Sequence, residues 1–206
     1  MFPLEQAILP TAVIPLHIFE PRYRAFAADV TPRADPEFGI APIERGREVG
    51  GDDVRADVGV VARVMQHEEF ADGRWAVVSI ATRRLRVREW LEDDPYPRAM
   101  VEDWPDDDAA TYRSAIDAAS RVELQDLIER IRTAAGHLEP GRPTLPITLG
   151  DDPGQATWQA AVFAQLNAFD AMALLRAPGA TRRLDLAIEL IRDRAEVLEA
   201  LADERG

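Results

Sequence analysis

The chain changes rhythm near residue 106. Before it, apolar and β-branched positions come in short runs broken by proline and glycine; after it, alanine and leucine recur at helical spacing. In the first part Val13 to Phe19 reads as a strand, with Pro15, Leu16, Ile18 and Phe19 as core positions. Pro21 suits the first turn of a short helix that ends before Pro32 and turns Tyr23, Phe26, Ala27 and Val30 inward. Phe38 to Ile43 reads as a further strand, and Glu44 to Asp57, with Gly46, Gly50 and Gly51, as a mobile loop. Val58 to His67 and Arg74 to Arg88 form a hairpin through Asp72-Gly73, a pair that favours positive φ. Strict alternation on its second strand puts Trp75, Val77, Ser79, Ala81, Arg83, Leu85 and Val87 on one face. Ala76, Val78, Ile80, Thr82, Arg84, Arg86 and Arg88 take the other, which turns from apolar to basic and predicts emergence at a sheet edge or rim. Many short strands, one helix and no βαβ alternation predict an antiparallel barrel or sandwich.

The second part reads as helices. Leu124, Leu127, Ile128, Ile131, Ala135 and Leu138 make one stripe, in a helix predicted to start near Ala109 and end around Gly136. Asp152-Pro153 opens another that carries Trp158, Ala161, Val162, Gln165, Leu166 and Phe169. Asp170 to Ala177 is a short helix broken at Pro178-Gly179, and a last helix after Thr181 buries Leu184, Ile188, Ile191, Ala195, Leu198 and Leu201. Such narrow stripes must pack on one another or on the strands.

Composition removes several chemistries. All 24 basic residues are arginine, and lysine and cysteine are absent. A P-loop lysine, a Schiff base, a Ser-Lys dyad, a thiolate and sulfur-ligated metal are therefore excluded. Of the serines, Ser79, Ser114 and Ser120, none lies in a nucleophile elbow, and His17, His67 and His137 sit in different elements, none of them part of a helical metal site with its ligand at i+3 or i+4. No catalytic residue, metal or cofactor is expected. The net charge of −13 repels phosphate backbones and anionic lipids, so nucleic acid is disfavoured as a partner. The arginine strand Arg83 to Arg88 is the one feature that favours it, and its other reading is internal ion pairing. Between Glu89 and Asp108 nine acids face the single Arg98, a run that reads as a solvated edge and connector. The first residues carry Glu5 and no basic leader, and no apolar run reaches membrane-spanning length, so a soluble cytoplasmic protein without a signal peptide or membrane contact is expected.

The run Ile14-Pro15-Leu16-His17-Ile18-Phe19-Glu20-Pro21-Arg22-Tyr23-Arg24 resembles the signature of the LON substrate-binding domain, which forms the N-terminal domain of ATP-dependent Lon protease and also occurs alone. Phe2-Pro3-Leu4, Phe38-Gly39-Ile40, the Val58 to Val64 strand with Gly59 and Arg63, Asp72-Gly73-Arg74, Arg84-Leu85-Arg86-Val87 and Pro95-Tyr96 follow in the family's order. Leu9-Pro10 departs from a common Phe-Pro-Gly turn, and Thr82 stands where glycine is usual. The resemblance implies an α+β protein: a PUA-like β pseudobarrel with one short helix over 1–106, then a C-terminal helical bundle over 107–206. It also implies a non-catalytic module that binds unfolded or exposed protein segments, without ATPase or peptidase domains, in company with a separate protease or chaperone. Arg22, Arg24 and Phe38 are the expected contact residues. Pro15, His17, Phe19, Glu20, Pro21, Tyr23, Gly39, Gly59 and Arg63 are expected to serve the fold, with Glu20 and Arg63 as an ion pair joining helix to sheet.

Overall fold

Alternation and turn chemistry build a first unit, Met1–Pro105, whose described residues form seven strands and one helix. They are β1 (Phe2–Leu4), β2 (Val13–Ile18), α1 (Pro21–Val30), β3 (Glu37–Arg45), β4 (Val54–Arg55), β5 (Val58–Glu69), β6 (Trp75–Leu91) and β7 (Arg98–Asp103). The computed structural model describes residues 1–46, 54–108, 118–139 and 147–204. The expected loop from Glu44 to Asp57 is cut short on both sides, by β3 running to Arg45 and by β4 pairing back onto it. Gly50 and Gly51 lie outside the described residues.

The strands pair in the order β1-β3-β5-β6-β2, with β4 on β3 and β7 on β6. Among the described residues only the β1–β3 pairing is parallel. The path is open, and β1 and β2 are its two ends. Gly73, at φ 77°, makes the β5–β6 turn as its sequence requires.

Strict alternation on β6 fails first at Thr82. Ala81 faces Ala62 and Arg83 faces Val61, so Thr82 is an extra residue, a β-bulge, and its hydroxyl donates to the Val61 carbonyl at 3.0 Å. Beyond the bulge Arg84 and Arg86 continue the face of Ala81 and Ser79, while Leu85 and Val87 lie on the opposite face. There Leu85 and Val87 join Val61 in a small core with Met1, Trp90 and Ala99 packed against it. The single face expected to hold Trp75 through Val87 is thus two faces. Arg84, placed on the outer face by alternation, is only 4% exposed and lies over the Trp104 ring at 4.4 Å, with Arg86 over the same ring at 4.0 Å.

The second unit, Asp106–Gly206, contains α2 (Ala118–Leu138), α3 (Pro153–Ala164), α4 (Ala168–Arg176) and α5 (Ala180–Asp203). The expected helix start at Ala109 lies outside the described residues. α2 continues through Gly136 to Leu138, and it buries Ala134 rather than Ala135. Asp152 caps α3 by accepting from the Gln155 amide at 2.9 Å. α3 stops at Ala164 because Gln165 takes a left-handed conformation, φ 50°. Gln165 and Leu166 therefore leave its stripe, and Phe169 falls on α4, 83% exposed. On α5, Leu201 is exposed and the buried face starts earlier, at Ala180 and Arg183.

The acidic connector is not merely solvated. Asp106 grips Arg183, which is 1% exposed, with two hydrogen bonds of 2.5 and 2.7 Å, and Arg183 also lies over Trp158 at 4.3 Å. Gly179 has no side chain to cap α5, and Asp108 supplies the missing carboxylate, accepting from the Ala180 and Thr181 amides at 2.6 and 2.9 Å. In the first unit Asp93 holds Arg55 through two 2.8 Å bonds, and Glu102 pairs with Arg88.

Candidate functional site

The junction of β2 and α1 is built by the Ile14 to Arg24 run. β2 pairs only with β6, so its other edge is unpaired, a place where a proline such as Pro15 breaks no ladder bond. Alternation buries Ile14, Leu16 and Ile18 and exposes Val13, Pro15 and His17. Pro15 is thus an edge residue rather than a core one. Phe19, also expected in the core, is 58% exposed, because it follows the last paired residue and the chain turns there into α1. Glu20 is the backbone N-cap of α1 and Pro21 occupies its first turn. Below them Phe2 meets Tyr23 at 4.3 Å, and Phe26 meets Phe2, Phe38 and Tyr96 edge-on at 5.1–5.6 Å.

Two surface clefts share His17, Ile18 and Phe19. One, about 240 Å³, runs between the two end strands of the sheet, with Phe2 and Leu4 from β1 and Pro15 and Leu16 from β2 in its wall. The other, about 350 Å³, is completed by Phe70, Arg74 and Trp75 at the hairpin end. Phe19 stands on the ridge common to both.

Charges around the ridge are mostly matched. Arg22 pairs with Glu20 at 3.2 Å and lies over the Tyr23 ring at 4.6 Å. Arg74 pairs with Asp72 at 2.8 Å. The expected Glu20–Arg63 pair does not form. Arg63 sits directly across the ladder from Glu37 and bonds it at 2.8 Å, and Arg83 reaches the other oxygen of the same carboxylate at 3.0 Å. Partial burial pushes the Glu37 carboxyl up, but the two guanidiniums outweigh it and hold it below the usual carboxylate range. Of the expected contact residues, Arg22 and Arg24 lie half-buried on the first turn of α1, whereas Phe38 is 6% exposed, packed on Phe26 inside the core.

The family model for the ATP-dependent protease La (LON) substrate-binding domain matches residues 1–193. The chain belongs to the LON substrate-binding domain family. Among solved structures it resembles the Lon N-terminal domain protein from Xanthomonas campestris, at TM-score 0.63 and 23% identity over 91% of this chain and 95% of that one. It also resembles the N-terminal domain of the Mycobacterium avium complex Lon protease, at TM-score 0.58 and 18% identity over 92% of this chain and 95% of that one. These likenesses establish a Lon N-terminal-domain-like α+β fold, with a mixed sheet and, among the described residues, five helices.

Within this LON-family fold, Gly59 is fixed by a close approach. A methyl group there would stand 2.0 Å from the Ile40 carbonyl oxygen of the neighbouring strand. Gly39 lies in that neighbouring strand and faces Val61 across the ladder. Sequence reasoning did not single out Phe70 and Trp75 as cleft residues. The available signal was an aromatic on each side of the Asp72-Gly73 turn, where the hairpin meets the end of β2 in register, Ile18 opposite Trp75.

The other candidates are structural in their contacts. Arg83 is shared between Glu37 and Asp103, and Arg88 pairs with Glu102. In the second unit a groove between α2 and α5 holds Asp126, Glu129, His137, Glu199 and Asp203, yet Arg130 locks Glu199 with two 2.8 Å bonds and Arg132 pairs with Glu129. Among the described residues no group of three or more His, Asp or Glu side chains could hold a metal ion. None of the described helices is long and apolar enough to cross a membrane.

Proposed function

We propose that this chain is a non-catalytic module that binds extended apolar segments of other proteins along the clefts that meet at Phe19. The observation that carries the reading is Phe19 itself: a large aromatic in the middle of the family's signature, exposed on a ridge between two apolar-walled clefts. Membership of a substrate-binding family supports it. In this reading the sheet is a PUA-like pseudobarrel whose seam lies between β1 and β2, as their shared cleft suggests, and it forms a domain over 1–106 followed by a helical bundle over 107–206. The module delivers or holds clients for a separate protease or chaperone. Ser79, mid-strand, is fully buried with no hydrogen-bond partner for its hydroxyl, so it has no base beside it for nucleophilic work.

Titration of labelled unstructured peptides, apolar, acidic and basic, without ATP, tests this. Apolar peptides are expected to bind saturably, and Phe19→Ser to weaken them about tenfold, the scale of one interface hot spot. Because Phe19 is exposed, its urea midpoint is expected to stay at the wild-type value. Unchanged affinity in Phe19→Ser would move the site elsewhere, and no saturable binding by any peptide would end the reading.

A further inference from the structure

We infer that Arg24 is a carboxylate anchor at the hairpin end of the larger Phe19 cleft, and that this cleft selects a polypeptide C-terminus whose last residue is apolar. The inference rests on the reading of that cleft as a binding site. Arg24 stands one turn into α1, its amide donating to the Glu20 carbonyl at 2.9 Å. Its half-buried guanidinium comes close to the hairpin turn: a methyl group on Gly73 would fall 1.8 Å from Nη2 and 2.6 Å from Cζ. Gly73 lacks a side chain because of its φ of 77°, and the arginine end fills the space left open. The Gly73 amide bonds the carbonyl of Phe70, and Gly73 precedes Arg74 in the chain, so the guanidinium packs on the turn that joins these two cleft-lining residues.

What distinguishes Arg24 is the lack of a counter-ion. Its neighbours Arg22 and Arg74 are matched by Glu20 and Asp72, but among the described residues Arg24 has no carboxylate, carbonyl or ring as partner. A half-buried guanidinium presents a planar fork of donors that matches a carboxylate, and the charge-assisted pair is among the stronger hydrogen bonds. The other charges of this end narrow the choice. Glu68 and Glu69, exposed and without ion pairs among the described residues, lie in ladder rows with His17 and Ile18 through Ala76 and Trp75. They repel a second negative charge, so one carboxylate fits and an acidic run does not. A cleft of about 350 Å³ is at the small end of ligand pockets. A chain terminus brings an apolar side chain and a carboxylate on one residue, which matches so short a site better than a segment passing through.

Three peptides of one sequence ending in Leu-Phe test this by fluorescence anisotropy: the free acid, the C-terminal amide, and the amide with Asp in place of the Leu. The free acid is expected to bind wild type about tenfold tighter than either amide, the scale of one charged hydrogen bond. Arg24→Gln is expected to bind all three like the plain amide, with Arg24→Lys between, and Arg24→Lys alone carries the comparison if the Gln variant does not fold. Equal binding of acid and amide by wild type, or an unchanged preference in the variants, makes Arg24 a buttress of the turn only and overturns the inference while leaving the cleft as the site. An Asp-containing amide that binds like the free acid overturns the choice of a chain terminus. If none of the three binds, the proposed function falls, and this inference with it.

Discussion

Gly59 shows how much a single position can decide. With the Ile40 carbonyl oxygen 2.0 Å from where a methyl group would stand, Gly59→Ala must push two paired strands apart. Overpacking of this kind costs about 1–3 kcal/mol, read as a lower urea midpoint at unchanged slope. Glu37 makes a different residue-scale prediction. Arg63 and Arg83 share its carboxylate, so a double-mutant cycle on Arg63→Ala and Arg83→Ala is expected to be non-additive, although each exposed pair is worth only about 0.2–1 kcal/mol. The same cycle on Glu20 and Arg63, which do not touch, is expected to add within about 0.5 kcal/mol. Coupling between Glu20 and Arg63 would contradict the partners seen here.

At the scale of the element, α5 depends on a cap that it does not carry. The Thr181 hydroxyl, followed by the Thr181 and Ala180 amides, holds the Asp108 carboxyl at about 2, below its ordinary 3.8, and burial opposes them. A depressed carboxyl stabilises the fold fully above its unfolded value, and that contribution disappears as pH falls towards 2. Asp108→Ala is therefore expected to cost about 1 kcal/mol near pH 7, the usual worth of a cap. The gap from wild type should close between about pH 4 and 2 in acid-titrated thermal melts. Asp106→Ala is expected to cost more, about 3–5 kcal/mol, because it leaves the buried Arg183 guanidinium without its partner. These elements also show which information was local. The α1 face of Tyr23, Phe26, Ala27 and Val30, the Asp72-Gly73 hairpin and the Asp152 cap were legible because each rests on residues within a turn or two of one another. The Thr82 bulge depends on how β6 matches β5, and the α5 cap on an aspartate 72 residues upstream, so neither spacing nor propensity contains them. Phe19 misled for a related reason: its type suits a core, and only the end of pairing at Ile18 puts it outside.

For the molecule as a whole, charge argues against nucleic acid as a partner. A net charge of −13 repels a phosphate backbone, and the arginines of β6 that might have overcome it are engaged by Glu37, Asp103, Glu102 and the Trp104 ring. A labelled single-stranded RNA is expected to show no mobility shift even at low salt. A salt-sensitive shift lost on changing Arg86 and Arg88 to Gln would mean that these arginines exchange their internal partners for phosphate. The proposed function gives the clefts at Phe19 a different kind of ligand, one recognised by apolar contact and by at most one charge.

The extra residue at Thr82 has two counterparts, Met65 on β5 and Arg88 on β6, each skipped by the ladder. Genetically, these are the three positions of the long hairpin and its β7 neighbour where losing a codon leaves every other side chain on its own face. Deleting Thr82 would straighten the ladder and forfeit the hydroxyl's bonds to the Val61 carbonyl and from the Arg83 guanidinium, whereas deleting Val78 would invert one arm of the strand and send Trp75 and Val77 outward. In a scan of single-codon deletions, survivors within this hairpin should therefore cluster at positions 65, 82 and 88, and these are the places where the strands can change length in a lineage without a new core.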